Sequence, residues 1–327
     1  MDSPSGPRRR RRARHPRRRA LFSLALALIT VGCGTAAGTM YLTSPAHSPA
    51  AGAVSSSATR TADGEESVGS AAEAAVDREA LLAAAMASVD VPEGAEVSVA
   101  VLDPDSGETA SGGGGAFDTA SIVKVDILAA LLLQAQDAGR TLTAEERTYA
   151  TAMIENSDND STSALWRTIG TADGLDAANE RFGLTGTAGG DGPLWGLTQT
   201  TAADQLTLLR QVFVTTGSEL TEASRTYVRE LMERVAAGQR WGVSAAADGT
   251  GWALKNGWLR RSTTGLWVIN SIGRVTAGGH GYLVAVLSRG SATQEDGIAL
   301  AEAAARAAVS VFAGDGAVDP AGGQTSS

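Results

Sequence analysis

"ASIVKVDILAALLL", Ala120 to Leu133, is the stretch on which the fold turns. Its second part, Ile127 to Leu133, is apolar almost all round, and a helix that is apolar on every side lies inside a domain rather than on its surface. The rest of the domain must then wrap around it. The same stretch carries Lys124, in a chain where arginine supplies 25 of the 27 basic residues. The other lysine is Lys255, in "ALKNGWL".

On a solvated surface the two cations do nearly the same work, but only an ammonium gives up its proton readily once water is removed. Ser121 stands three residues before Lys124, a spacing that places both on one helix face. Apolar surroundings and a helix N-terminus both disfavour the ammonium form, which makes Lys124 a candidate base. Backbone N–H groups at that end would stabilise an oxyanion formed at Ser121. Alone, the pair reads equally well as a capping serine and a lysine reaching out of the core.

Two further groups bear chemistry. "IENSDNDSTSALW" places Ser157, Asp158 and Asn159 between helical segments. A serine there can relay a proton and an asparagine can hold a substrate amide, although all three residues also suit helix capping. Lys255, Asn256 and Gly257 lie in an expected strand. A lysine there can hold a substrate carboxylate and the glycine admits close approach to the backbone; a solvent-facing strand lysine is the plain alternative.

In the order Ser-x-x-Lys, Ser-Asp-Asn, Lys-x-Gly, these groups resemble the signature of the penicillin-recognising serine hydrolases, nearest to class A β-lactamase-like proteins. "MIENSDND", "GLWVINSIGRV" and "GYLVAVLSRG" add to the likeness. The resemblance implies Ser121 as acylated nucleophile, Lys124 as its base or part of the base network, and Ser157 as proton shuttle. It further implies that Asn159 orients substrate, that Lys255 binds its carboxylate and tunes Ser157, and that Asn256, Gly257 and Trp258 line the substrate site. The oxyanion would sit on the backbone N–H groups of Ser121 and Trp258, with Asp158 turning the loop. Class A β-lactamases carry a loop glutamate that activates water. The corresponding stretch here, "RFGLTGTAGGDGPLWGLTQTTAAD", has none, and its Asp191 reads as a turn residue. The interval from Ser121 to Ser157 is short for that family, Asn256 replaces the usual hydroxyl residue, and bulky Trp258 follows Gly257. Poor β-lactamase activity is the expectation.

The chain has 327 residues, 43% of them hydrophobic, enough for one large domain or two small ones. Residues 1–42 combine an arginine-rich head with the uncharged run "ALFSLALALITVGCGTAAGTMYL", an export signal or membrane anchor. "TVGC" ends at Cys33, which would be lipidated if it is a lipoprotein box, and Arg18-Arg19 hints at twin-arginine export. Every variant puts the remainder outside the cytoplasm, secreted or membrane-anchored. As the only cysteine, Cys33 forms no intrachain disulfide. Residues 43–75 read as a flexible linker, 76–313 as the folded hydrolase domain and 314–327 as a disordered tail.

Without the first nineteen residues, which hold nine arginines and one acid, 18 basic groups face 35 acidic ones, so nucleic acid is not an expected partner. A small molecule or a cell-wall peptide is the expected substrate, with membrane contact through the N-terminal segment, no cofactor, no metal and a monomeric state. His15 and His47 precede the domain, leaving His280 in a glycine-rich turn, which removes a Ser-His-Asp triad and a histidine or cysteine zinc site.

The expected fold is α/β (α+β), with an antiparallel sheet built from both ends of the domain, flanking helices and an inserted helical region. Helices are expected over 121–139, 144–156, 161–169, 172–182, 201–215, 222–237 and 293–312, with a short one over 77–89. Strands are expected within 96–111, about a turn at Asp103 to Gly107, and over 251–259, 265–275 and 281–288. A non-catalytic cell-wall or β-lactam-binding sensor module with the same fold is the rival reading.

Overall fold

The opening stretch becomes α2 (Val123–Asp137) in the computed structural model, which describes residues 76–312. Every residue from Val123 to Leu133 is buried. Each buried leucine of this helix contributes about 2 kcal/mol through the water it sheds. The segments expected at 1–42, 43–75 and 314–327, with Cys33, lie outside the described residues.

Around α2 stand α3 (Ala144–Glu155), α4 (Asn159–Ile169), α5 (Thr171–Phe182), α6 (Ala202–Phe213) and α7 (Glu222–Glu233). Their starts follow from capping. Thr143 accepts from the Glu146 amide while the Glu146 carboxylate accepts from the Thr143 amide, a reciprocal cap for α3. Asp158, Thr201 and Thr221 cap α4, α6 and α7. The α4 helix closes on Gly170, whose φ of 99° is open to glycine at little cost.

The sheet comes from both ends of the described chain. Strands β1 (Glu96–Leu102) and β2 (Thr109–Gly112) form a hairpin early on; β5 (Trp252–Arg260), β6 (Trp267–Ala277) and β7 (His280–Ser291) follow the helical region. The order is β2-β1-β7-β6-β5, antiparallel throughout. Both faces are covered, so the two-residue strand period sorts side chains between two cores. Ala100, Leu102, Leu283, Ala285 and Leu287 face the helical region and α2. Val99, Val101, Val284 and Val286 join Leu82 of α1 (Arg78–Met86) and the alanine face of α8 (Gln294–Ser310).

Three local differences from expectation have physical causes. Ser121 lies in a 3-10 turn, Ala120–Ile122, rather than in the α-helix, because Ala120 turns the chain at φ 48°. A two-stranded ladder of β3 (Phe117–Asp118) and β4 (Gln199–Thr200) was not expected, since two residues give no periodicity to read. The seventh helix ends at Glu233, four residues early.

Candidate active site

The site lies where the 3-10 turn and α2 meet the α3–α4 junction and β5. Lys124 Nζ donates to Ser157 O at 2.7 Å, Ser157 Oγ at 2.9 Å and Asn159 Oδ1 at 2.9 Å. Lys255 Nζ donates to Ser157 Oγ at 3.1 Å and to Asn256 O at 2.8 Å. Ser157 adopts φ 58°, a left-handed conformation that costs about 1 kcal/mol or more and presents its hydroxyl and its carbonyl together to Lys124. One hydroxyl thus accepts from two amines, which fills its lone pairs and leaves its own proton to be given to a third group.

Both lysines are fully buried, at 0% exposure. Loss of water pushes the Lys124 ammonium down to about 7, the nearby Asp158 carboxylate opposing part of that fall. Lys255 is lowered by the same desolvation and by the positive field of Lys124. Asp158 is held below the usual carboxylate range by its hydrogen bonds from Ser161, the first turn of the helix it caps. A buried amine that titrates near neutrality can shed and regain a proton in the working pH range.

Ser121 does not share a hydrogen bond with Lys124 here, contrary to the spacing expectation. The serine sits in the 3-10 turn, outside the i, i+3 geometry of an α-helix, and Lys124 spends its donors on Ser157 and Asn159. What does approach Ser121 is strand β5. A Cβ built on Gly257 would stand 2.7 Å from Ser121 N, 2.8 Å from Ile122 N and 2.8 Å from Thr119 O, so only glycine lets the strand close on that turn. The turn has no side-chain cap to compete for its amides.

Asn256 has a different place from the one expected. Its Nδ2 donates to Gln239 O at 2.8 Å and Trp241 O at 2.9 Å, and it is 1% exposed, so its side chain holds the segment before β5 instead of facing substrate. Strand alternation accounts for this, because Lys255 already takes the site face. Trp258 is half-buried against Trp241, ring centres 6.0 Å apart and edge to face. Asp191 is exposed on the loop before β4.

Two contributors escaped the sequence reading. Trp195, on the loop that lacks a glutamate, lays its ring 5.0 Å from Lys124 Nζ and donates from its indole to Ser163 Oγ. Asn270 of β6 donates to both Asp118 O and Thr119 O at 2.9 Å, pinning the backbone that leads into Ser121. An asparagine inside the apolar strand "LWVINSI" was a readable signal for the second. Nothing local marked the first.

A model of the beta-lactamase enzyme family matches residues 136–312. The chain belongs to that family. The matched residues of this β-lactamase family member include Ser157, Asn159, Lys255 and Gly257, while Ser121 and Lys124 precede them. Among solved structures it resembles PBP-A, with a TM-score of 0.61 and 21% identity over 72% of this chain and 96% of that one. It also resembles the TLA-3 extended-spectrum beta-lactamase, with TM-score 0.62, 14% identity, and 72% and 98% coverage. A beta-lactamase from Chitinophaga pinensis DSM 2588 aligns with TM-score 0.60, 18% identity, and 74% and 100% coverage. These likenesses show the β-lactamase/transpeptidase fold. In sequence the family member is 27% identical over 172 residues to "Putative lipoprotein LppW" of Mycobacterium tuberculosis (strain ATCC 25618 / H37Rv), 51% of this chain. It spans about half, 55%, of that relative's length.

Proposed function

We propose that the chain is an exported serine hydrolase of the β-lactamase/penicillin-binding type that forms an acyl-enzyme at Ser121 and releases it slowly. The observation that carries this reading is the Ser157 hydroxyl held by two fully buried amines beside a turn on which Gly257 closes. In the proposed reaction Ser121 Oγ attacks the substrate carbonyl and its proton passes to the Lys124 amine, neutral in part of the population near pH 7. The new oxyanion rests on the N–H groups of Ser121 and Trp258. Lys124 returns the proton through Ser157 to the leaving nitrogen or oxygen, and Asn159 steadies the acyl side chain. Lys255, fully enclosed, donates to Ser157 Oγ from the other side and so orients that hydroxyl; in its protonated form it adds a positive potential that attracts a substrate carboxylate.

Slow release follows from the loop. Hydrolysis of the ester needs a water activated beside Lys124, and an indole covers that side of the amine with no glutamate on the segment from Arg181 to Asp204. PBP-A, which shares the fold, is described in a variant as an acyl-enzyme complex with penicillin G. Export, with a lipid on Cys33, an uncleaved anchor or a cleaved signal, is supported by the arginine-rich head, the apolar run and the lipoprotein name of the relative. No helix among the described residues is long and apolar enough to cross a membrane.

Intact-mass measurement after exposure to a penicillin tests the proposal, with Ser121→Ala as control. The expected result is an adduct of penicillin mass that persists for minutes and is lost in the control. Fast turnover without an adduct would replace slow release by efficient hydrolysis. Neither adduct nor turnover with penicillins, cell-wall peptides or activated esters would leave a binding or sensor module of the same fold.

A further inference from the structure

A second buried polar group lies outside the site, where α2, α6 and the 183–200 loop meet. Asp126, on α2, is 1% exposed, and Gln205, on α6, is fully buried. Gln205 Nε2 donates to Asp126 Oδ1 at 3.2 Å and to Thr200 Oγ1 at 3.0 Å. Thr200 Oγ1 is 2.8 Å from Thr187 Oγ1, and Thr187 Oγ1 donates to Asp204 Oδ2 at 2.6 Å. Gly186 N donates to the same Asp204 oxygen at 2.7 Å.

The protons in this chain of contacts can be assigned in one direction. Thr187 has one hydroxyl proton and gives it to Asp204, so between the two threonines Thr200 is the donor. Thr200 has then spent its proton and must accept from Gln205, which fixes the amide with its nitrogen toward Thr200. Two buried acceptors remain without a donor, Asp126 Oδ2 and Gln205 Oε1. They belong to a carboxyl and an amide already joined by one N–H···O bond, and a buried acceptor left without a donor is destabilising. One proton on Asp126 supplies both.

We infer that Asp126 is carried as a neutral carboxylic acid whose O–H donates to Gln205 Oε1, and that this proton ties the 183–200 loop, which lays Trp195 on Lys124, to the central helix. Burial independently pushes the Asp126 carboxyl up to about 7, with the Asp204 charge adding to the rise and the Gln205 bond opposing it. The charged group that acts on it from the packed elements is Asp204 of α6; Lys124, two residues earlier on α2, is turned to Ser157 and Asn159. When Asp126 ionises, Oδ2 and Oε1 repel. Gln205 must turn, and its hold on Thr200 is lost. The unfolded chain ionises this acid near pH 4, so the stability it lends is full below that, declines between, and is gone once pH passes the folded value of about 7.

The test is carboxyl-carbon NMR of the full chain labelled at aspartate, with amide hydrogen exchange of the loop. One carboxyl carbon is expected to keep its protonated position to near pH 7 or above and to vanish in Asp126→Asn, whose amide replaces the acid O–H with an N–H donor and keeps the fold. Protection of the Gly186 and Ala188 amides, referenced to unstructured peptides, is expected to fall at least tenfold from pH 6 to pH 9 in the wild type and to stay constant in the variant. Titration of every aspartate below about pH 5, or survival of the high-titrating carbon in Asp126→Asn, overturns the assignment of the proton. Loop protection that ignores pH overturns the tie to the loop. The wild-type carbon spectrum decides the first point even if the variant does not fold, and that failure would itself count against an isosteric neutral acid.

Discussion

Gly257→Ala adds one methyl group where the structure has backbone on three sides. The new Cβ would lie 2.7 Å from Ser121 N, about 0.7 Å inside the 3.4 Å at which ordinary contact begins, and nearly as far inside for Ile122 N and Thr119 O. None of the three atoms can rotate away. Thr119 O is further held by Asn270 Nδ2 at 2.9 Å, and the retreat of about 0.6 Å that its own 2.8 Å contact demands stretches that bond to about 3.5 Å, beyond the usual range of an N–H···O bond. The strain and the lost bond together cost about 1–3 kcal/mol of stability. The larger effect falls on chemistry, because the atoms that move include the amide proposed to hold the oxyanion. A displacement approaching 1 Å costs about 10²-fold in rate, or about 2.7 kcal/mol. The assay is the second-order rate of penicillin adduct formation at Ser121 by intact mass, with circular dichroism showing that the variant is folded at the assay temperature. A folded Gly257→Ala protein that acylates within threefold of wild type would refute the placement of Gly257 against the reacting turn.

Acylation should rise with pH through about 7 and level off above it, since desolvation lowers Lys124 into that range and only the neutral amine takes the serine proton. Lys124→Arg, which cannot lose its proton, should lower the rate by about 10³-fold or more across that range. Asn256→Ala removes two hydrogen bonds to the carbonyls of Gln239 and Trp241 and should cost about 1–3 kcal/mol by chemical denaturation. Per folded molecule its acylation rate should stay within threefold of wild type; a selective loss of acylation would return Asn256 to the substrate.

What the sequence could and could not reveal follows from the range over which each signal acts. Period and capping are local, so the all-apolar Ile127 to Leu133, the Thr143 and Glu146 pair and the continuous apolar run Tyr282 to Leu287 of β7 announced their elements. The resemblance in three short motifs foretold that residues 124, 157, 159 and 255 would be neighbours, which no spacing rule could do across such separations. The site's fine geometry was not legible, because it depends on long-range closure. Ala120 at φ 48° takes Ser121 off the helix, and nothing in "DTASIVK" demands it. Whether Asn256 faces substrate or loop depends on which side of β5 the sheet buries, settled by register with β6, where Asn256 lies opposite Ser271. Trp195 meets Lys124 only because the loop is anchored through Thr187, Thr198 and Thr200, contacts with no sequence signature.

The enclosure of Lys124 and Lys255, the only lysines in the chain, has a practical corollary. A reagent that couples to primary amines finds no side chain to attack while the domain stays closed, and the α-amino group is the sole competitor. Covalent tagging at either lysine therefore counts molecules that have opened, turning an ordinary surface-labelling chemistry into a clock for breathing of the interior.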